Sequence, residues 1–191
     1  PQRVWQLSEN LERWGATNAV VTQADPEDLA ARLAGFFDRV LLDAPCSGEG
    51  MFRKSEAARR AWSPGLVSSC ALRQGSILET AASFLRPGGY LVYSTCTFNR
   101  AENEAVIEAF LASHPEFALN PGPAHVTNAA APGLIQAPAG AVVRFWPQRH
   151  PGEGHFIARL QRKGQNPEKS CEEKGRPRAR PESRLERESL R

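Results

Sequence analysis

The chain has 191 residues, 41% of them hydrophobic and 24% charged, with a formal net charge of +3. That is the composition of an ordinary soluble domain with a core, and no apolar run approaches the ~20 residues of a membrane-spanning helix. The weak positive charge permits nucleic-acid binding without arguing for it. Four cysteines and four histidines show no Cys-x-x-Cys or His-x-x-x-His spacing, which argues against zinc and against a dithiol oxidoreductase.

The first residue is Pro, and the first pattern is already helical. Val4, Leu7, Leu11 and Trp14 recur at helical spacing, and Gly15 stops the run. Residues 18–23 read as a strand. Asp25 then fits a helix N-cap, with Pro26 as the first residue of a helix running to Leu33. The apolar run from Phe36 to Leu42 predicts a buried strand of a parallel sheet, ending at Asp43.

Asp43-Ala44-Pro45-Cys46-Ser47-Gly48 follows, so a carboxylate and a thiol stand just beyond a strand's carboxyl end, where open α/β sheets bind ligands. Arg53, Lys54, Arg59 and Arg60 place cations beside them. Phosphates need such partners, although a solvated helix face explains Arg59 and Arg60 equally well. Ser63-Pro64 predicts a helix start, with a stripe of Leu66, Cys70, Ile77, Ala81 and Phe84 up to a stop at Pro87-Gly88-Gly89. Tyr90 to Ser94 reads as another strand, and it ends in Thr95-Cys96-Thr97-Phe98. Two thiols thus stand at the ends of two successive strands that can lie side by side.

Asn99 is expected to cap a helix over residues 101–111, ending before His114-Pro115. Residues 118–140, rich in Ala, Pro and Gly, predict a surface loop. Residues 141–146 and 155–160 alternate like a terminal antiparallel pair. From Lys163 onward almost nothing can be buried, which predicts a disordered charged tail. Its basic residues 174–178 read as a solubilising stretch, and Cys70 and Cys171 as bystanders.

Two thiols and a carboxylate in one cleft suit methylation of cytosine at carbon 5. That carbon is not nucleophilic in the free base. Addition of a thiolate to carbon 6 makes the ring an enamine, and an acid near N3 offsets the charge that builds there. A second thiol can assist expulsion of the first, so that one hard step becomes several easier ones. The chemistry alone leaves open which cysteine attacks. Core packing is the ordinary fate of a single cysteine, and a disulfide between Cys46 and Cys96 is geometrically conceivable.

Asp-Ala-Pro-Cys-Ser-Gly (43–48) followed by Ser-Thr-Cys-Thr-Phe (94–98) resembles the Nol/Nop/Sun family of RNA cytosine-C5 methyltransferases. Glu49-Gly50-Met51-Phe52-Arg53-Lys54 is similar to its bacterial branch acting on 16S ribosomal RNA. The resemblance implies an α/β, Rossmann-like class I fold dependent on S-adenosylmethionine, with strand order 3-2-1-4-5-7-6. It implies a partial catalytic domain over residues 1–162 that lacks the first two strands, and a tail over 163–191. The implied partner is RNA, as 16S rRNA or the small ribosomal subunit, in the cytoplasm, without membrane or metal. By the family pattern Cys96 attacks, Cys46 helps release product, and Asp43 holds and protonates the base. Asp25, Asp43 and Pro45 would line the methyl donor. Arg53 and Lys54 would meet RNA, as would Arg144 and Phe156, which with Pro147 and Gly154 resemble a late motif near the target base. An acidic-Asn-Glu element of the family falls at Asn103 and Glu104 and would support the loop; their position favours ordinary polar residues of a first helical turn.

The donor-binding Gly-rich loop, with its basic residue, is missing before residue 43. The expectation is therefore the second part of a longer enzyme. Its alternatives are a transfer RNA methyltransferase of the same family and a non-catalytic RNA-binding remnant. The geometric expectation is a slot in the sheet, with residues 18–23 roughly 14 Å from residues 38–43 because two strands are missing between them.

Overall fold

The computed structural model describes residues 2–127 and 130–164. The tail expected from residue 163, with Cys171 and the basic residues 174–178, lies outside the described residues apart from Lys163 and Gly164.

Helix α1 spans Gln2–Arg13 and ends at Gly15, whose φ of +70° suits a residue without a Cβ. Helix α2 spans Pro26–Leu33, and Asp25 stands at its N-cap. Between them residues 18–23 form no strand, which corrects the expectation. A strand needs a neighbour to take its N–H and C=O groups, and this stretch pairs with no described strand. The slot has therefore only one wall.

That wall is β1, Phe37–Asp43. Among the described residues it pairs on one side only, in parallel with β2, Leu85–Thr95, in the register Arg39 to Tyr90 through Asp43 to Ser94. Its residues alternate between exposed and half-buried, and Leu41 is 74% exposed, so the buried parallel strand expected here is an edge strand. The Pro87-Gly88-Gly89 turn lies within β2, as an irregularity between the pairs Phe37–Leu85 and Arg39–Tyr90.

The connection from β1 to β2 holds the short helix α3, Glu56–Ala61, and the long helix α4, Pro64–Ser83. Ser63 caps α4 by accepting from Leu66 N–H at 3.1 Å, and Pro64 opens it. After β2, Asn99 caps only a single 3-10 turn, Arg100–Glu102. Helix α5 begins later than expected, at Glu104, and ends at Ser113.

The expected loop over residues 118–140 contains β3, Phe117–Leu119, the helical turn α6, Ala124–Thr127, and β4, Ala131–Pro132. Strands β5, Val142–Phe145, and β6, His155–Arg162, form the terminal antiparallel pair. Strand β6 inserts antiparallel to β2, which gives the order β1-β2-β6-β5-β4, with β3 on the end of β6. In methyltransferase numbering this is the 4-5-7-6 half of the sheet. The core lies beneath α4 and α5, where Leu78, Ile107, Leu85, Leu91, Ala158 and Leu160 are fully buried. No described helix is long and apolar enough to cross a membrane.

Candidate active site

The parallel pairing of β1 with β2 ends both strands at the same level. The ladder runs one step further, with Ala44 N–H donating to Ser94 C=O at 2.9 Å. Each strand then releases its cysteine. The Cys46 and Cys96 Sγ atoms lie 3.3 Å apart, both half-buried. Asp43 is exposed at the same rim, and Ser94 Oγ donates to its Oδ1 at 3.4 Å.

The chain turns after Cys46 at Gly48, whose φ of +74° lies in the left-handed region. A 3-10 turn, Glu49–Arg53, then passes under the second cysteine loop. Gly50 N–H donates to Cys96 C=O at 2.9 Å. A Cβ at residue 50 would lie 2.7 Å from that oxygen, so only glycine admits the approach. Glu49 accepts from Phe98 N–H at 2.9 Å and from Trp62 Nε1 at 3.1 Å. The loop of one thiol is thus bolted to the loop of the other on both sides of residue 97.

A second layer of buried polar groups lies beneath. Glu102 is fully buried and accepts from Ser47 N–H at 2.8 Å, from the Ser47 hydroxyl, and from Gln74 Nε2 at 3.0 Å. Ser47 and Thr97 hydroxyls meet at 3.0 Å. Asn103, also fully buried, accepts from Thr95 Oγ1 at 2.6 Å and donates to Thr97 C=O at 3.0 Å. Glu104 and Arg144 form a buried two-point ion pair, with Nε to Oε1 at 2.7 Å, and Arg144 Nη1 donates to Phe98 C=O at 3.0 Å. Buried polar groups are expensive unless each finds a partner. Ser47, Thr97 and Phe98, which belong to the two thiol loops, are among these partners, so satisfying the layer holds the loops.

These contacts correct two readings. Asn103 and Glu104 are structural supports of the Cys96 loop rather than solvated first-turn residues. Arg144 and Phe156 are 1% and 0% exposed and so lie under the cleft, not on its RNA-facing surface. Arg144 stacks over the rings of Phe156 and Trp146, 5.4 Å from each centroid. Arg53 and Lys54 are exposed. Arg53 donates to Gly152 C=O, and Lys54 pairs with Glu153, which ties the 3-10 turn to the β5–β6 connection.

Asp25 is exposed; its carbonyl accepts the first bonds of α2, while its side chain makes no capping bond. Pro45 is exposed beside Asp43. Glu49, Gln74 and Glu102 escaped the sequence reading. The available signal was position: Glu49 stands three residues after Cys46, and Glu102 stands two residues before the start of α5.

The thiol contact polarises the pair. The hydrogen bond from Cys46 lowers Cys96 to about 7, against burial and the nearby Asp43 carboxylate, which push it up. The same bond, followed by burial, pushes Cys46 far up. When the pair loses its first proton, the remaining one therefore sits on Cys46 and Cys96 becomes the thiolate, the nucleophilic form of a cysteine. No group of three or more metal-ligating side chains occurs among the described residues.

Residues 1–161 match the family model for 16S rRNA methyltransferase RsmB/F. The chain is 41% identical over 165 residues to ribosomal RNA small subunit methyltransferase F of Aeromonas salmonicida, covering 84% of this chain and 33% of that protein. It is 39% identical over 160 residues to the Klebsiella pneumoniae protein of that name, with the same coverage. The chain thus spans about a third of the length of the curated relatives it matches. Among solved structures, NSun6 from Pyrococcus horikoshii, determined with SFG, superposes with a TM-score of 0.71 at 29% identity, over 86% of this chain and 40% of that one. A methyltransferase homologue from the same organism gives 0.66 at 28%, over 84% and 50%.

Proposed function

The chain belongs to the 16S rRNA methyltransferase RsmB/F family, and from that premise we propose that it carries the catalytic face of an S-adenosylmethionine-dependent enzyme methylating carbon 5 of a cytosine in small-subunit ribosomal RNA. The observation that carries this reading is the 3.3 Å contact of Cys46 and Cys96 at the carboxyl ends of adjacent parallel strands. Residues 1–162 are then the catalytic part and 163–191 a charged appendage. The reading places the protein in the cytoplasm, with its substrate.

The residues present fit the methyl donor only in part. Asp43 at the end of β1 and Pro45 just after it are exposed and would form one wall of its site, with Asp25 a further polar candidate. No Gly-rich strand-to-helix turn of the kind that cradles such a ligand precedes β1 among the described residues. When bound, the donor supplies an electrophilic methyl group to carbon 5.

The chain's own residues do the rest. The Cys96 thiolate adds to carbon 6 of the ring, and the displaced electron pair is stabilised by a proton that Asp43 shares with N3. Carbon 5 thereby becomes nucleophilic. Once Cys96 is bonded to carbon, it no longer holds the Cys46 proton as a thiolate, and the largest cause of the raised Cys46 pKa disappears. Cys46 can then give its proton to solvent and, as the thiolate, take the proton from carbon 5. The electrons of that C–H bond re-form the ring double bond and expel Cys96. Arg53 and Lys54, exposed at the end of the 3-10 turn that follows Cys46, would meet phosphates.

The test uses a chimaera in which residues 1–162 replace the matching segment of a full-length methyltransferase F, incubated with small-subunit RNA and donor. Cys46→Ala should accumulate a covalent protein–RNA band on denaturing gels. Cys96→Ala should give neither band nor product. A persistent band for Cys96→Ala in place of Cys46→Ala would reverse the two roles, and no band for either would remove the covalent mechanism.

A further inference from the structure

Glu102 has no part in these bond-making steps, yet it touches both sides of Cys46. It binds residue 47 directly, through the backbone N–H and the hydroxyl. It reaches residue 45 through Gln74, whose Nε2 donates both to Glu102 Oε2 at 3.0 Å and to Pro45 C=O at 2.9 Å. Glu102 is itself anchored to the other strand. The Tyr93 hydroxyl, three residues before Cys96, donates to the Glu102 carbonyl at 2.7 Å. Ser47, gripped by Glu102, also meets Thr97, the residue after Cys96. Glu102, Gln74, Tyr93 and Thr97 are all fully buried, so water cannot replace a lost partner without rearrangement.

We infer that Glu102 is the positioning residue that sets the Cys46 thiol against Cys96, and that it acts through its hydrogen-bond geometry rather than its charge. The inference rests on reading the two cysteines as the reacting pair, but the thiols alone can test it. The three groups bonded to the Glu102 oxygens are neutral. Two of them, Ser47 N–H and Gln74 Nε2, converge on Oε2, and only the Ser47 hydroxyl meets Oε1.

A glutamine reproduces that pattern. Its carbonyl oxygen takes the place of Oε2 and accepts both N–H groups. Its amide nitrogen donates to Ser47 Oγ, which turns its own hydrogen toward Thr97. Alanine leaves the Ser47 N–H and one Gln74 bond without a partner. Aspartate keeps the charge but, one methylene shorter, cannot reach Ser47 and Gln74 together. A displacement of about 1 Å in such a constellation is enough to cost on the order of a hundredfold in a positioned reaction.

The experiment takes the 191-residue chain with Cys70→Ser and Cys171→Ser, so that only the pair titrates. Thiolate absorbance in the ultraviolet is followed against pH, melting is recorded for each variant, and alkylation mapping identifies which sulfur ionises. The unsubstituted pair should lose its first proton near pH 7, at Cys96. Cys46→Ala should move that step up by about one unit or more, a tenfold loss of thiolate at a given pH. Glu102→Gln should titrate at or slightly below the unsubstituted pair, because the Glu102 charge is a minor cause that raises Cys96, while Glu102→Ala and Glu102→Asp should titrate like Cys46→Ala.

If Glu102→Gln shifts as far as Glu102→Ala, charge governs and the inference fails. It fails equally if Ala and Asp leave the titration in place. Should Glu102→Ala melt below the assay temperature, the Gln and Asp variants carry the same contrast. If Cys46→Ala itself leaves the first step unmoved, the paired-thiol reading falls, and the inference falls with it.

Discussion

The two flanks of β1 are built on opposite plans. On the β2 side, polar side chains are buried and hydrogen-bonded, Gln74 through its Nε2 while its Oε1 has no partner: Ser47, Gln74, Thr97, Glu102, Asn103, Glu104 and Arg144 are all within the protein. Before β1 in the chain come residues 2–36, where no side chain with described burial is buried. Among the described residues, seven of the nine large apolar side chains left exposed fall before residue 44, among them Trp5, Trp14, Val20 and Leu41. The usual arrangement of apolar inside and polar outside is thus inverted across one strand. An apolar pattern becomes core only where a second element covers it, whereas a buried polar group survives only by finding its partners. The exposed flank has the character of a surface made to be covered, in keeping with a chain that spans about a third of its relatives.

The contrast is broken most forcefully at Glu104. Glu104→Ala leaves Arg144 buried without its carboxylate partner and should cost about 3–5 kcal/mol. It also frees Leu134 N–H, which donates to Glu104 Oε1 at 3.1 Å. Chemical denaturation of the chain measures the loss. A change under about 1 kcal/mol would mean that water reaches Arg144 and that the polar layer is not closed.

Elements with a local cause were legible before the structure. Gly15 and Ser63-Pro64 mark helix ends by their own backbone and capping chemistry, and the helices end and begin there. The two thiol motifs sit at strand ends, and the parallel register of β1 and β2 brings them together. Depth was not legible. Residues 18–23 have the pattern of a strand, but no pattern supplies a neighbour. Arg144 and Phe156 alternate within strands, and alternation does not say whether both faces are covered. On β5 they are: Val142, Val143 and Arg144 are buried in succession. The same uncertainty hid Asn103 and Glu104, whose partners lie 6 to 40 residues away.

A smaller effect tests the outer side of α5. His114 ends that helix, with Nε2 on Glu79 of α4 and Nδ1 on Glu116 at 2.9 Å. Burial pushes its pKa down, but the hydrogen bonds to Glu116 and Glu79 outweigh that and raise it above the usual 6.5. A raised folded pKa means that the protonated form is favoured by folding. The extra stability is present in full below the unfolded value of about 6.5 and disappears as pH rises through the folded value. Because these groups are substantially exposed, the effect should be far below that of Glu104→Ala. Melting followed from about pH 5 to 9 should fall more steeply for the parent than for His114→Gln. Parallel profiles would show that the contacts to Glu79 and Glu116 add nothing.

The smallest expected change sharpens the comparison most directly, because it sets two leucines on neighbouring strands of one sheet against each other. Leu41 on β1 is 74% exposed, while Leu91 on β2, paired in register with Val40, is fully buried. Their side chains are chemically the same, so any difference is one of environment. Leu91→Ala removes atoms from a packed core and should cost about 2–5 kcal/mol. Leu41→Ala removes surface already in water and should stay within about 0.5 kcal/mol in the isolated chain. The same Leu41 substitution in a chimaera that restores the preceding segment of a full-length relative should become destabilising, because a strand laid along the free edge of β1 would bring covering structure over that face. A neutral result in both settings would mean that the edge stays open, and that the apolar flank serves some purpose other than completing the sheet.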